Sequence, residues 1–193
     1  MAMKKLGPLL LSAIAIPAFA LTTTPRPGDR IGVLRISDRF TYRDEQSVSN
    51  AIQNDLRREL HDLGFNAFDA RITYDELLRR GPEDADYYVE VVSAYATGRP
   101  VGAVGAAVEG MAVEVGVVVA NVAAEVRLYD GRTLNLVESY DLARRNTAVV
   151  PTGIGFAGRS IFAAILLPFV QYGQYRSAAH DIAHQAALRI AGR

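Results

Sequence analysis

The chain has 193 residues, half of them hydrophobic, with 21 basic side chains, 21 acidic side chains and no cysteine. That apolar share excludes an intrinsically disordered chain. The balanced charge leaves no basic footprint for nucleic acid, and the missing cysteines exclude a disulfide framework.

Lys4 and Lys5 precede an apolar run from Leu6 to Ile16, and Ala18-Phe19-Ala20 has the small-x-small pattern of a cleavage site. Residues 1–20 therefore read as a cleavable signal peptide leading to a bacterial periplasm. The run is short and contains Pro8, with Pro17 just beyond it, which argues against a membrane anchor. Its removal takes the only two lysines with it, so the cations fall from 21 to 19, all arginine, against 21 acidic residues and a net charge of −2. With no cysteine to acylate, the expectation is a periplasmic protein without a lipid anchor, in contact with the outer membrane at most.

Residues 21–28, with Pro25 and Pro27, are an extended lead-in, and residues 29–193 form one α/β domain. Arg30 to Ile36 has the β-branched, alternating pattern of a strand. Asp44 can cap a helix whose stripe is Val48, Ile52, Leu56, Leu60 and Leu63, ending at Gly64. Phe65 to Ala70 is a short strand. Thr73 and Glu76 then have the spacing of a capping box, Ile72 and Leu77 of a hydrophobic staple, and Gly81-Pro82 stops a second helix.

Three antiparallel strands follow between Asp86 and Asp141, the last two joined by a tight hairpin at Asp130-Gly131. Between the first two lies a Gly/Ala/Val-rich hairpin over residues 98–120 with only three charges, Arg99, Glu109 and Glu114. Residues 146–158 read as a glycine-bearing connector. Residues 159–193 read as a helical segment, kinked at Pro168, with Tyr172, Tyr175, Ala179, Ile182, Ala186, Leu188 and Ile190 on its apolar face. The fold class is thus α/β (α+β): a mixed sheet of three to five strands packed by two or three helices.

The stretches RIGVLRISD, SVSNAIQNDLRRELHDLGF, DADYYVEV and AEVRLYDGRTLNLVESYD carry a resemblance. In element order they resemble the periplasmic α/β domain of curli-secretion-channel-like proteins. That architecture is shared with the amino-terminal domain of the Tol-system β-propeller protein and with an outer-membrane activator of peptidoglycan synthases. The likeness covers roughly residues 29–142 and the last helix, and it concerns fold rather than chemistry. It implies a non-enzymatic envelope protein that works by contact with other envelope proteins or with copies of itself. The chain departs from the lipoprotein members in lacking their acylated cysteine.

No catalytic constellation emerges, and no cofactor is expected. Gly153, Gly155 and Gly158 match a dinucleotide fingerprint, but no strand follows the helix after them. Ser160 lacks a nucleophile elbow. His180 and His184 stand four residues apart on the last helix and could face one metal, yet two nitrogens do not close a tetrahedral site, and nothing places His61 beside them. The remaining feature is apolar surface: Val113, Val115, Val117 and Val119 on the hairpin, and Ile161, Phe162 and Phe169 on the last helix. Burial of these segments within the protein or in a contact gives an interaction or assembly module. Their insertion in a membrane gives a subunit of an outer-membrane secretion channel or pore, and the histidine pair leaves a small-ligand or metal-binding protein as a further alternative.

Overall fold

The structure is a computed structural model that describes residues 24–36, 43–108, 111–155 and 161–193; in residues 43–45, 99–108, 111–116, 150–155 and 161–171 only the backbone is described. The signal-peptide reading of residues 1–20, and Ser160 and Gly158, fall outside the described residues. Eight elements follow in chain order: β1 (Arg30–Val33), α1 (Arg43–Asp62), β2 (Asn66–Asp69), α2 (Tyr74–Arg80), β3 (Tyr87–Val108), β4 (Met111–Asp130), β5 (Leu136–Gly155) and α3 (Ile161–Ile190). The strands form one mixed sheet in the order β2-β1-β3-β4-β5. β1 runs parallel to both β2 and β3, while β3, β4 and β5 are antiparallel.

The stripe expected on α1 is the one that buries. Val48, Ile52, Leu56 and Leu60 lie against Ile31, Val33, Val89, Val126 and Leu128 of the sheet. Each fully buried Leu or Ile contributes about 1.5–3 kcal/mol. Gly64 ends the helix with φ +91, a left-handed conformation that L side chains resist. On the opposite face of the sheet, the α2 residues Tyr74 and Leu77 close a smaller cluster with Leu34, Ile72, Tyr88 and Tyr129. The capping box is present on both sides: Thr73 Oγ1 accepts from Glu76 N–H, and Glu76 Oε2 accepts from Thr73 N–H. Those bonds from Thr73 hold the Glu76 carboxyl below the usual range.

Three local expectations change. Of the connector expected over residues 146–158, residues 146–155 are strand, because β5 continues to Gly155 and pairs with β4 as far as Ala112. An exposed connector and an edge strand share one composition; only the partner strand separates them. Likewise α3 continues through Pro168 as one helix of 30 residues. Its buried face is also narrower in bulk than expected: Ala178, Ala179, Ala183, Ala186 and Ala187 join Ile182 and Ile190, while Tyr172 is exposed and Leu188 half-buried.

The β4–β5 turn is longer than a two-residue hairpin. Asp130 Oδ1 accepts from Arg132 N–H, Thr133 N–H and Thr133 Oγ1, at 3.0, 2.7 and 2.9 Å, and Leu134 takes φ 57. Burial pushes the Asp130 carboxyl up, but the Thr133 and Arg132 bonds prevail and hold it below the usual range. Gly131 is needed for closeness, since a Cβ there would lie 2.0 Å from the Ala85 carbonyl oxygen while its N–H donates to Asp86 O. Gly131→Ala must push two backbone segments apart, so it is expected to lose about 1–3 kcal/mol in urea unfolding. A variant as stable as the parent would refute this packing.

Candidate functional site

A bulge between Val91 and Ser93 decides which side chains of the long ribbon face where. Before it, Tyr87, Val89 and Val91 turn toward α1 and α3; after it, Ala94 and Ala96 take over that face. The other face therefore carries the pairs Glu90–Arg127, Ser93–Glu125 and Tyr95–Ala123, with Ser139, Asp141 and Ala143 of β5 beyond them. The connected core beneath the helices includes Ala96, Val122 and Leu142, and Val118, Val119 and Ala120 are buried farther along β4; β3 continues to Val108 and β4 begins at Met111.

Near α2 this face holds a polar network. Tyr129 Oη donates to the buried Glu90 carboxylate at 3.0 Å, and the Tyr74 ring stacks on Tyr129 with centroids 4.2 Å apart. Arg127 Nε donates to Glu125 Oε1 at 2.7 Å, and Ser139 Oγ donates to the same oxygen at 3.0 Å. Burial pushes the Tyr129 phenol well above the usual tyrosine range, and the charge and hydrogen bond of Glu90 push it further. Burial does the same to Tyr140, helped by its bond to Glu138. Farther along, where α2 no longer covers the sheet, Ala123 and Ala143 floor a hollow of about 220 Å³ lined also by Tyr95, Asn121, Arg144 and Arg145. Tyr95 is 57% exposed, and Val149 of β5 is 68% exposed.

On the helical side, α1 and α3 pack together and bring His180 and His184 opposite Asp55 and Glu59. His184 Nδ1 lies 2.6 Å from Glu59 Oε2, and His180 Nδ1 lies 3.5 Å from Asp55 Oδ2. Arg58 binds the other Asp55 oxygen. Next to this cluster a groove of about 660 Å³ runs between the helices, lined by Asn50, Asn54, Arg58, Tyr172, Tyr175 and Arg176 among others.

The structure thus sorts the residues singled out by sequence. His180 and His184 share one seam, while His61 points elsewhere, beside Asp62. Val117 is half-buried and Val119 buried; the side chains of Val113, Val115, Ile161, Phe162 and Phe169 lie outside the described residues. Gly153 and Gly155 sit in β5. Asp55, Glu59 and Glu90 were missed. The first two border the apolar stripe of α1, three residues on from Ile52 and Leu56, which was a legible cue. Glu90 sits in a run of aromatic and β-branched strand residues, and nothing local marks its carboxylate as buried.

No protein-family model and no curated protein matches this chain. Among solved structures it is similar to a minor lipoprotein from Acinetobacter baumannii, at 12% identity over 87% of this chain and 94% of that chain, TM-score 0.46. It is similar to the rare lipoprotein B from Shewanella oneidensis, at 9% identity over 84% and 90%, TM-score 0.38. A third is PelC from Paraburkholderia phytofirmans, at 15% identity over 84% and 90%, TM-score 0.37. These names correct the resemblance to curli-channel and Tol-propeller domains read from the sequence: strand–helix–strand–helix followed by a hairpin is an element order that separate envelope families share. Two of these neighbours are named lipoproteins, which stands against the expectation of no lipid anchor. At these scores the likeness carries no activity or partner to this chain.

Both buried phenols keep their protons above the ordinary tyrosine value of about 10. The unfolded chain releases them first, so their contribution is complete below about pH 10 and is lost as pH rises beyond it. Replacing both, Tyr129→Phe with Tyr140→Phe, should make the alkaline loss of stability shallower. It should also cost about 1–3 kcal/mol at neutral pH, because Glu90 loses a donor. Tyrosinate absorbance and urea melts across pH test both effects; a wild-type protein that ionises every tyrosine before unfolding would contradict them.

Proposed function

We propose that this chain is a non-catalytic interaction or assembly module of the bacterial envelope, placed on its periplasmic side and working through the β3–β5 ribbon. One observation carries the reading. Strands of 22, 20 and 20 residues are several times the usual five or six, and at about 3.3 Å per residue the longest spans about 70 Å. Strands of five or six residues ordinarily suffice to build a globular core. Among the described residues β5 also leaves one hydrogen-bonding edge without a neighbour in the sheet. Glu138, Asp141, Arg144 and Arg145 line the described part of that strand, charges that discourage indiscriminate edge pairing while permitting a complementary contact. The exposed Tyr95 beside its alanine-floored hollow supplies a rigid aromatic anchor of the kind that interfaces favour.

The non-catalytic part of the proposal is supported by how the polar side chains of the open face are used. Glu90, Tyr129, Arg127, Glu125 and Ser139 bond to one another within the sheet instead of converging on a cavity. Among the described residues no helix is long and apolar enough to cross a membrane, which says nothing of strands. The hairpin supports a second reading, a secretion-channel subunit, because its ladder is continuous from Gly98–Ala120 to Val108–Met111 apart from the shift near Pro100.

A photo-crosslinking side chain placed at position 95 or 149, in the full chain in a Gram-negative host, is expected to yield discrete adducts in the envelope fraction. The same group at position 57, on the exposed side of α1, is expected to yield none. Adducts only from position 57, or none at all, would overturn the ribbon as the contact element. Resistance of the chain to carbonate washing of the membranes, with crosslinks to lipid at the hairpin, would favour the channel subunit.

A further inference from the structure

The α1–α3 seam holds four side chains that the hydrophobic packing does not require and the ribbon does not use. Asp55 and Glu59 stand four residues apart on α1, and their side chains are only 9% and 17% exposed. Like charges at that spacing repel. Arg58 answers one of them through Asp55 Oδ1, which leaves Asp55 Oδ2 and both Glu59 oxygens directed at α3. There His180 and His184, also four apart, present Nδ1 atoms 3.5 Å from Asp55 Oδ2, 3.9 Å from Glu59 Oε1 and 2.6 Å from Glu59 Oε2. With the histidines counted as neutral, two carboxylates face a single guanidinium, which leaves one negative charge in excess to attract a cation.

We infer that Asp55, Glu59, His180 and His184 form a binding site for a divalent cation of the zinc class at the helix seam. Ligand bonds of about 2.0–2.2 Å in a tetrahedron place donor atoms about 3.4 Å apart. Two of the three separations, 3.5 and 3.9 Å, already approach that edge, and the hydrogen-bonding contact of His184 opens by roughly 0.8 Å as the metal replaces it. As placed, no three His, Asp or Glu side chains among the described residues form a complete ligand group. The missing adjustment falls on the imidazoles, whose side chains are 53% and 51% exposed, while the carboxylates are held by burial and, for Asp55, by Arg58. That division matches what metal sites need: a fixed anionic pair oriented by an outer hydrogen bond, and an open side for entry. Two imidazoles with two carboxylates suit zinc, nickel or copper and disfavour magnesium and calcium, which take all-oxygen shells. The site would tie α3 to α1 at a level of the helix pair where surface ion pairs alone contribute little.

The test is calorimetric titration of the untagged full chain with zinc chloride at pH 7.5 and, separately, with magnesium chloride. One equivalent of zinc bound, no heat with magnesium and a zinc-dependent rise in melting temperature are expected. His180→Gln and Glu59→Gln should each weaken zinc binding at least ten-fold, while His61→Gln should leave it unchanged. Both substituted positions are at the surface or its margin, and circular dichroism reports whether the fold survives; if Glu59→Gln does not fold, His184→Gln takes its place. Absence of zinc binding, binding unaffected by any seam variant, or binding lost with His61→Gln would each overturn the site.

Discussion

Five alanines on the buried side of α3, at 178, 179, 183, 186 and 187, set how near that helix comes to α1 and the sheet. Small side chains at a helix contact let the two backbones approach, and the larger Ile182 and Ile190 then fill the remaining depth. The rest of the helical face depends on this distance. The α1 stripe can cover β1 and β3 because α3 shares the sheet with it, over β4 and β5. The same closeness lets His180 and His184 reach carboxylates on the other helix.

Magnitudes separate structure from function along that seam. Complete burial of side chains such as Leu56, Leu60 and Ile182 is worth about 1.5–3 kcal/mol each, whereas a half-exposed ion pair contributes about 0–1 kcal/mol. The helices therefore dock without help from the histidines and carboxylates, and a cluster that stability does not call for is open to another role. The network of Glu90 and Tyr129 is the reverse case. Its members are buried, so each hydrogen bond guards against the larger cost of an unsatisfied group.

The sheet divides its labour along its length. At one end, β1 and β2 are short and parallel, joined through α1, and helices cover them. At the other, β3, β4 and β5 continue as a three-stranded ribbon whose pairing needs no helix, because the antiparallel ladder satisfies the backbone of all but its outer edges. One bulge at Val91–Ser93 keeps the apolar side chains of β3 on the core side as the strand twists, and it places Tyr95 on the open face. The contact surface proposed for this protein follows from that single extra residue.

What the residues determine on their own is local and periodic. The 3.6-residue stripe of α1, the Thr73–Glu76 box, the left-handed Gly64 and the alternation of β3 and β4 all depend on neighbours within a few positions, so their elements could be read directly. The tertiary structure decided everything that depends on distant partners. Residues 146–155 became strand because β4 lay beside them. Gly131 had to be glycine because the Ala85 carbonyl sits against it, from a segment more than forty positions away. A lone histidine pair became half of a four-residue cluster once α3 packed on α1, since Asp55 and Glu59 are some 125 residues distant in the chain and no sequence spacing encodes their approach.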